Sequence, residues 1–459
     1  MTDQNLTGTI VAVSTPPGLG GIGIVRLSGP SALEIALRLF RPKTRPGKIL
    51  PGRACFGSVA DPADGRPFDE GFLLYFRGPR SYTGEDVVEL NLHGSPILLD
   101  EVTRLAVREG ARSAQPGEFT LRAFLSGRLD FLQAEAIDDL IRSTSLVQAK
   151  SAFRGVEGAL SRKLAALRRD IISLSAGIEA EIEFPEENRP VPARHYADKI
   201  DRIFSEVARL RQSYDKGREL RHGITVALVG LANSGKSTLF NNLLEEERAI
   251  VTPVPGTTRD FLREKIRFQD FSLTLIDMAG LEKARSPVER EGVRRGTKIA
   301  SEADGLLLLL DGSRSFGRES RRLIERYRDR KIILVINKTD LPSKVGAADL
   351  RKLYPGLPVV AISALKGTGI RPLREWLSRT FRPDQTDDDI VIFRKRDKLL
   401  LEEMTARLLR AKKIILDGGL IETVAEEARE IVSVIARMTG EIRTDEILDD
   451  IFSRFCIGK

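Results

Sequence analysis

Residues Gly230-Leu-Ala-Asn-Ser-Gly235-Lys236-Ser237 follow an apolar run, Ile224 to Val229, and precede a segment able to form a helix. A G-x-x-x-x-G-K-S spacing in that setting admits few folds. It needs a buried strand, a loop that wraps a phosphate chain, and a helix whose N-terminus faces the loop. Glycines let the backbone close tightly and turn successive N–H groups inward as an anion nest. Lys236 is placed to reach β- and γ-phosphates and Ser237 to ligate magnesium, with Asn233, Ser234, Gly235 and Thr238 completing the cradle. A nucleoside triphosphate site on a parallel α/β sheet is expected.

Later segments select the base. Asn337-Lys338-Thr339-Asp340 follows an apolar strand, Ile332 to Ile336. The Asp340 carboxylate can accept both donors on guanine's N1 and 2-amino edge, and adenine would leave that carboxylate unpaired. Ser363-Ala364-Leu365-Lys366 follows Pro358 to Ile362 and is expected to close over the base. Asp277-Met278-Ala279-Gly280 follows Ser272 to Ile276, where Asp277 would hold magnesium through water and the Gly280 N–H would sense the γ-phosphate. Thr257 and Thr258 lie where a first switch should sit, and a hydroxyl there, assigned to Thr258, can complete the magnesium shell. Taken singly, each of these tetrapeptides is a turn or a helix cap. Their order, each after an expected strand, points to GTP.

The chain has 459 residues, enough for several domains. No apolar run is long enough to span a membrane, and the start, Met-Thr-Asp-Gln-Asn, lacks a leader pattern. Two cysteines, Cys55 and Cys456, make no disulfide framework and three histidines no histidine-rich metal site, so a reducing cytoplasm is expected. A net charge of +8 permits a polyanion such as RNA, and equally a modest excess spread over a large surface.

Three regions emerge. Residues 1–118 alternate expected strands (Thr9 to Ser14, Ile22 to Leu27, Glu70 to Phe76, Asp86 to Leu92) with helices Ser31 to Phe40 and Ile97 to Glu109, an α+β domain. Residues 119–217 carry helical periodicity, broken at Pro185, and it returns over 384–459. Residues 222–381 alternate strands and helices, so an α/β P-loop unit of Ras-like type is inserted into a discontinuous all-α domain.

Several segments then identify a family. Ser14-Thr-Pro-Pro-Gly-Leu-Gly-Gly-Ile-Gly-Ile-Val-Arg26, Ser81-Tyr-Thr-Gly-Glu-Asp86, Gln115-Pro-Gly-Glu-Phe119 and Gln133-Ala-Glu-Ala-Ile137 carry the resemblance, with Phe184-Pro-Glu-Glu187, Gly256-Thr-Thr-Arg-Asp260 and the tail Phe455-Cys-Ile-Gly-Lys459. Across its whole length the chain is similar to the MnmE (TrmE) family of tRNA modification GTPases. The resemblance implies a homodimer formed through an N-terminal domain that binds reduced folate, a tetrahydrofolate derivative. It implies a flavoprotein partner, MnmG, that carries FAD, and a carboxymethylaminomethyl-type group built on the wobble uridine of tRNA with a folate one-carbon unit. Arg26, Glu89, Arg128 and Lys459 match the folate positions. A carboxylate such as Glu89 suits pterin N–H donors, and Arg or Lys suits the folate glutamate tail.

The resemblance also implies potassium-activated GTP hydrolysis. Asn233, Thr252, Val254 and Thr257 match the potassium ligands, and Glu289 the catalytic glutamate that orients water. By residue type alone Glu289 is a surface glutamate, Glu89 a polar strand residue and Arg26 a strand-end charge. Cys456 reads either as a nucleophile or as an inert small residue. Leu281 stands where many GTPases have glutamine. Met278, Glu282 and Leu19 depart from the family's threonine, arginine and arginine. A regulatory RNA-binding switch, as in ribosome assembly, shares the GTP motifs, and a scaffold with a vestigial site is a third reading, opposed by intact Lys236, Ser237 and Asp340.

Overall fold

The computed structural model describes residues 7–43, 49–183, 192–246, 262–268, 271–278, 298–382 and 390–442, together with Ser453, Phe455 and Gly458. The chain divides into two compact units. One comprises Met1–Asp138, Phe153–Ser205 and Glu403–Lys459; the other comprises Asp139–Ala152 and Glu206–Glu402.

The first unit holds a seven-stranded sheet in the order β3-β4-β5-β6-β2-β1-β7. Its strands are β1 (Ile10–Val13), β2 (Gly20–Ser28), β3 (Phe40–Pro42), β4 (Ala54–Ala60), β5 (Pro67–Phe76), β6 (Val87–Gly94) and β7 (Arg112–Ser113). Pairing is antiparallel except between β1 and β7. Helices α1 (Ala32–Leu39) and α2 (Pro96–Arg108) supply Ile35, Leu39, Leu99, Val102 and Leu105 to the core that also takes Val25, Leu27, Val88 and Leu90 from the strands. Apolar alternation in β2 and β6 marks one buried face. All four strands and both helices expected in this region are present. Three strands were not anticipated. β3 is a three-residue edge, β7 has two residues, and β4 is interrupted by Gly57, so none shows a readable period. The helix expected to reach Phe40 stops at Leu39, because Phe40 opens β3 opposite Val59.

A buried ion network joins this sheet to α3 (Glu118–Leu125). Glu118 is 0% exposed and accepts from Arg112 at 2.5 Å, Arg122 at 3.0 Å and the Gln115 N–H at 2.8 Å. Arg122 reaches on to Glu85 at 3.0 Å, which takes the Ser28 hydroxyl at 2.7 Å. Burial pushes the Glu118 carboxyl up, and the Arg112, Gln115 and Arg122 donors more than offset that, holding it below its ordinary 4.5.

Further helices are α4 (Phe131–Ile141), α5 (Leu146–Val156), α6 (Ala159–Glu183) and α7 (Ala193–His222). The residues around Pro185 lie outside those described.

The second unit holds a six-stranded sheet, β13-β12-β11-β8-β10-β9, parallel except for the β9–β10 pair. Its strands are β8 (Ile224–Gly230), β9 (Leu262–Phe268), β10 (Phe271–Asp277), β11 (Gly305–Asp311), β12 (Ile332–Asn337) and β13 (Val359–Ala361). Its helices are α8 (Lys236–Glu246), α9 (Arg318–Tyr327), α10 (Ala347–Leu353) and α11 (Ile370–Phe381). The central strands β11 and β12 are continuous apolar runs because both faces are covered. Leu239 and Phe240 of α8 with Leu373 and Leu377 of α11 cover one face. Ile324 and Tyr327 of α9 with Leu350 of α10 cover the other. Beyond this sheet, α12 (Lys395–Leu416) leads to α13 (Ile421–Thr439), which packs on α6 with Arg429–Glu179 and Arg168–Glu441 ion pairs, each 2.9 Å. The architecture is an N-terminal α+β region, a discontinuous helical region and an inserted P-loop GTPase fold. No helix of the described residues is long and apolar enough to cross a membrane.

Glu118→Gln is expected to destabilise the first unit by about 3 kcal/mol, because it strands buried arginine charge. A carboxyl with a depressed folded pKa stabilises fully above its unfolded value and loses that contribution as pH falls through the folded one. The gap between wild type and variant in urea midpoint should therefore be widest at neutral pH and shrink below pH 4.5.

Candidate nucleotide and tail sites

The carboxyl ends of β8, β10, β11, β12 and β13 lie along one edge of the parallel sheet, where open α/β sheets take ligands. They deliver Gly230, Asp277, Asp311, Asn337 and Ala361 to that edge. Between β8 and α8 the chain turns through two left-handed residues, Asn233 at φ +62° and Gly235 at φ +93°. That alternation is what directs successive N–H groups into a nest. Gly235 is required twice: its φ disfavours a side chain, and a Cβ there would sit 2.1 Å from Asn337 Nδ2.

Lys236 begins α8 and is 6% exposed. Its Nζ donates to the carbonyls of Gly230 at 2.7 Å and Leu231 at 3.0 Å, so the ammonium lies folded across the mouth of the loop. Ser237 Oγ donates to Asp277 Oδ2 at 2.7 Å. A hydroxyl and a buried carboxylate meeting there form an oxygen donor pair suited to a small hard cation. Thr238 and Asn233 are exposed on the loop and first turn. Met278 is buried in the apolar cluster with Ile276, Ala300 and Ala303, which accounts for a thioether where a threonine was expected.

Asn337 ties two loops together. Its Nδ2 donates to Ser234 O at 2.8 Å, and its Oδ1 accepts the Ala364 N–H at 2.9 Å. It is 2% exposed. Ser363 Oγ donates to Asp340 Oδ1 at 2.5 Å. That hydroxyl, the residue's own backbone N–H and nearby Lys366 and Lys338 hold Asp340 below the usual carboxylate range. Lys338 adopts φ +67° and donates through Nζ to Asp311 Oδ2 at 2.6 Å. Burial pushes Asp311 up, and the Lys338 and Ser313 donors outweigh it and keep it ionised. Two contributors were not singled out from sequence. Asp311 anchors Lys338, and Asn242 of α8 donates to Ala364 O at 3.2 Å. An aspartate ending a strand and an asparagine within a helix carry no local signal of such partners.

In the first unit, Arg26 of β2 stands directly opposite Glu89 of β6. Its Nε and Nη2 both meet Glu89 Oε1, at 2.9 and 2.8 Å. The guanidinium also lies 5.7 Å from the ring centres of Tyr82 and Phe119, and Nη1 donates to Gly458 O at 3.3 Å. Ser14 Oγ donates to that same carbonyl at 3.0 Å. Gly458 packs so closely that a Cβ would fall 2.2 Å from Val13 O. Phe455 is buried with Leu121, Phe124 and Phe131. Gly458 is thus seated at the Arg26–Glu89 pair. Arg128 is exposed after α3, with its N–H on Ala123 O at 2.9 Å. Leu19 is 92% exposed and Cys55 is a half-buried free thiol. Thr252, Val254, Thr257, Thr258, Gly280, Glu282, Glu289, Cys456 and Lys459 lie outside the described residues.

Known families and proteins match this chain along its length. Residues 9–128 match the family model for the GTP-binding protein TrmE N-terminus, and residues 131–456 match the MnmE helical domain. The tRNA modification GTPase MnmE of Syntrophus aciditrophicus is 39% identical over 456 residues, covering 99% of this chain and 100% of that protein. Those of Aquifex aeolicus and Geobacter sulfurreducens are 39% and 40% identical, each covering 98% of this chain and 99% of theirs.

Asn337→Ala removes two buried hydrogen bonds and leaves their partners unsatisfied, a loss of about 2–4 kcal/mol in loop order. Affinity for a fluorescent guanosine diphosphate should fall by roughly a hundredfold in titration. An unchanged affinity would show that the two loops hold their positions without this amide.

Proposed function

The chain belongs to the MnmE family of tRNA modification GTPases, and from that premise we propose that it is a potassium-activated GTP hydrolase working with an MnmG-like flavoprotein. Together they would install a carboxymethylaminomethyl-type group on the wobble uridine, using a folate one-carbon donor. GTP hydrolysis and a role in tRNA modification come with the family. The potassium ion, the flavoprotein, the folate, the homodimer and the domain limits 1–118, 119–217 with 384–459, and 222–381 are this proposal's own.

The observation that carries the reading is the bonded chain from Ser234 through Asn337 to Ala364, with Ser363 and Asp340 beside it. It joins the phosphate loop to a base-reading loop whose carboxylate is held ionised. In the nucleotide complex, Asp340 accepts the two guanine donors, and Lys236 exchanges its carbonyl partners for phosphate oxygens. Ser234, Gly235 and Thr238 line the phosphates, and Lys338, Ser363 and Ala364 frame the base. Ser237 and Thr258 would hold magnesium, with Asp277 supporting it through water, and the Gly280 N–H would sense the γ-phosphate. The Ser237–Asp277 donor pair fits that ion, which supplies charge neutralisation to phosphoryl transfer.

Potassium would supply the charge that other GTPases take from an arginine. Asn233, exposed and left-handed at the loop's edge, presents an amide suited to a monovalent cation, with Thr252, Val254 and Thr257 as the remaining ligands. Glu289 orients the attacking water. Arg26 and Glu89, neutralising each other beside Gly458, fit a ligand with both pterin donors and carboxylates, each residue trading its present partner for a ligand group. Arg128 and Lys459 complete that site. Cys456, next to it in sequence, is either a reactive thiol or a packing residue.

Asp340→Asn should lower GTP affinity roughly 10²-fold or more and favour xanthosine triphosphate. GTP turnover should be faster in potassium than in sodium, and Asn233→Ala should erase the difference; equal rates in the wild type would remove the potassium step. Cells lacking the protein should lose the wobble-uridine side chain from tRNA. Intact tRNA with defective ribosomal subunits would instead support a ribosome-assembly switch.

A further inference from the structure

The chain's positive surplus is concentrated. Residues 314–331 hold eight Lys/Arg against three Asp/Glu, a net +5 within a chain whose total is +8. They comprise α9 and its two flanks. Ser320, Ile324 and Tyr327 are the buried positions of α9, at helical spacing, and they turn one face to the core. Arg314, Arg318, Arg321, Arg322, Arg326, Arg328, Arg330 and Lys331 are all exposed. Glu319, Glu325 and Asp329 are the acids among them.

What separates this run from other basic stretches is how little of it is neutralised. Residues 394–413 carry the same numbers of basic and acidic residues. There, Arg407 is paired with Glu403, Glu427 and Glu430, Arg410 with Glu427, and Lys412 with Asp201. Along α9 and its flanks, among the described residues, only Arg328 pairs closely, with Glu325 at 3.1 Å, while Arg314 lies 3.6 Å from an Asp311 already bound to Lys338. Arg321 and Arg326 lie over the rings of Phe316 and Tyr327. Arg318, Arg321, Arg322 and Arg326 have no carboxylate partner among the described residues. Beyond the helix, the open cleft of about 600 Å³ that Arg330, Lys331, Arg379 and Arg382 line is shared with Glu219, Asp304 and Asp329, so the basic surface proper is the outward face of α9.

We propose that the outward face of α9 forms a docking surface for the phosphate backbone of a folded tRNA. The inference rests on the tRNA-modifying reading and adds where the nucleic acid touches the GTPase unit. Guanidinium groups suit phosphate because their planar donors pair bidentately and are weakly hydrated. Arg318, Arg322 and Arg326 recur every four residues, so they line one side of a helix about 15 Å long. That reach covers several backbone phosphates. Phe316 and Tyr327, the rings beside these arginines, are half-buried and buried, so the surface positions a duplex and does not read bases by stacking. Its contribution is therefore affinity and orientation, shared by every tRNA the enzyme accepts.

The test compares tRNA binding by the full chain and by a triple variant, Arg318→Gln, Arg322→Gln and Arg326→Gln, over a salt series, using a transcribed tRNA with a wobble uridine. At about 100 mM salt the triple variant should bind at least tenfold more weakly. Its log–log salt slope should be shallower by about 2, since each phosphate contact contributes roughly 0.7–0.9. Fluorescent guanosine diphosphate binding and the thermal midpoint should not change. A second triple variant, Arg104→Gln, Arg209→Gln and Arg371→Gln, removes equally exposed arginines elsewhere and should keep wild-type affinity and slope. Unchanged binding by the α9 variant, equal weakening by the second variant, or no measurable binding by the wild type would each overturn the surface. Binding to phosphatidylglycerol vesicles that tRNA does not displace would overturn the choice of partner. None of these results touches the wobble-nucleoside assay, so the surface can fail while the tRNA-modifying reading stands.

Discussion

One side-chain amide organises the nucleotide end of this molecule. Asn337 is buried at the end of β12, between a carbonyl of the phosphate loop and an N–H of the base-side loop. A buried amide left unpaired is costly, so the two loops are held at one separation by a group that cannot abandon either. Gly235 is the matching constraint, since any side chain there would occupy the space of that amide. Lys236 and Asp340 then face the edge from opposite ends of the same tie. The loops need not be rigid themselves, because the parallel sheet beneath them and the amide between them define where they can be.

The first unit depends on a different device, charge buried in pairs. Glu118 takes donors from Arg112, Arg122 and the Gln115 backbone, and Arg122 carries the network to Glu85 and Ser28. The Ser81–Asp86 and Gln115–Phe119 segments, which carry the family resemblance, thereby acquire a structural reason. They supply Glu85 and Glu118 to the network, and Tyr82 and Phe119 to the rings around Arg26. Arg26 and Glu89 repeat the logic on a smaller scale, with the tail carbonyl of Gly458 as a third party. A pair that neutralises itself avoids leaving an unpaired charge half-buried and still offers both signs to a ligand.

Much of the fold was legible because the signals were local and strong. β11 and β12 are unbroken apolar runs bounded by turn residues, β8 is broken by Thr225 alone, and the phosphate loop has a fixed spacing. The short strands β3 and β7 and the glycine-broken β4 had no period to read, and their existence follows from neighbours that offer them unpaired backbone. At the site, the sequence named Asn337 and Asp340 as base-reading residues. It could not assign the amide its bridging position, nor Asp311 its hold on Lys338, because those partners come from separate strands. The net charge was equally ambiguous. Only the placement of α9, with Ile324 and Tyr327 inward, shows that its arginines share an exposed surface and that those of α12 are largely spent on neighbouring carboxylates.

The sequence alone identified five of the six strands of the nucleotide-binding unit, missing the antiparallel β9, together with the chemistry of the phosphate loop and the family. These are properties of spacing and of short-range periodicity, which a linear chain displays directly. Tertiary structure decided which charges neutralise one another, and it seated Gly458 beside Ser14 and Arg26, 444 and 432 residues away. It also brought Asn337 to Ser234 across 103 residues. Hydrogen bonds and ion pairs act over a few ångströms of space and take no account of distance along the chain, so only the folded molecule can show which partners they join.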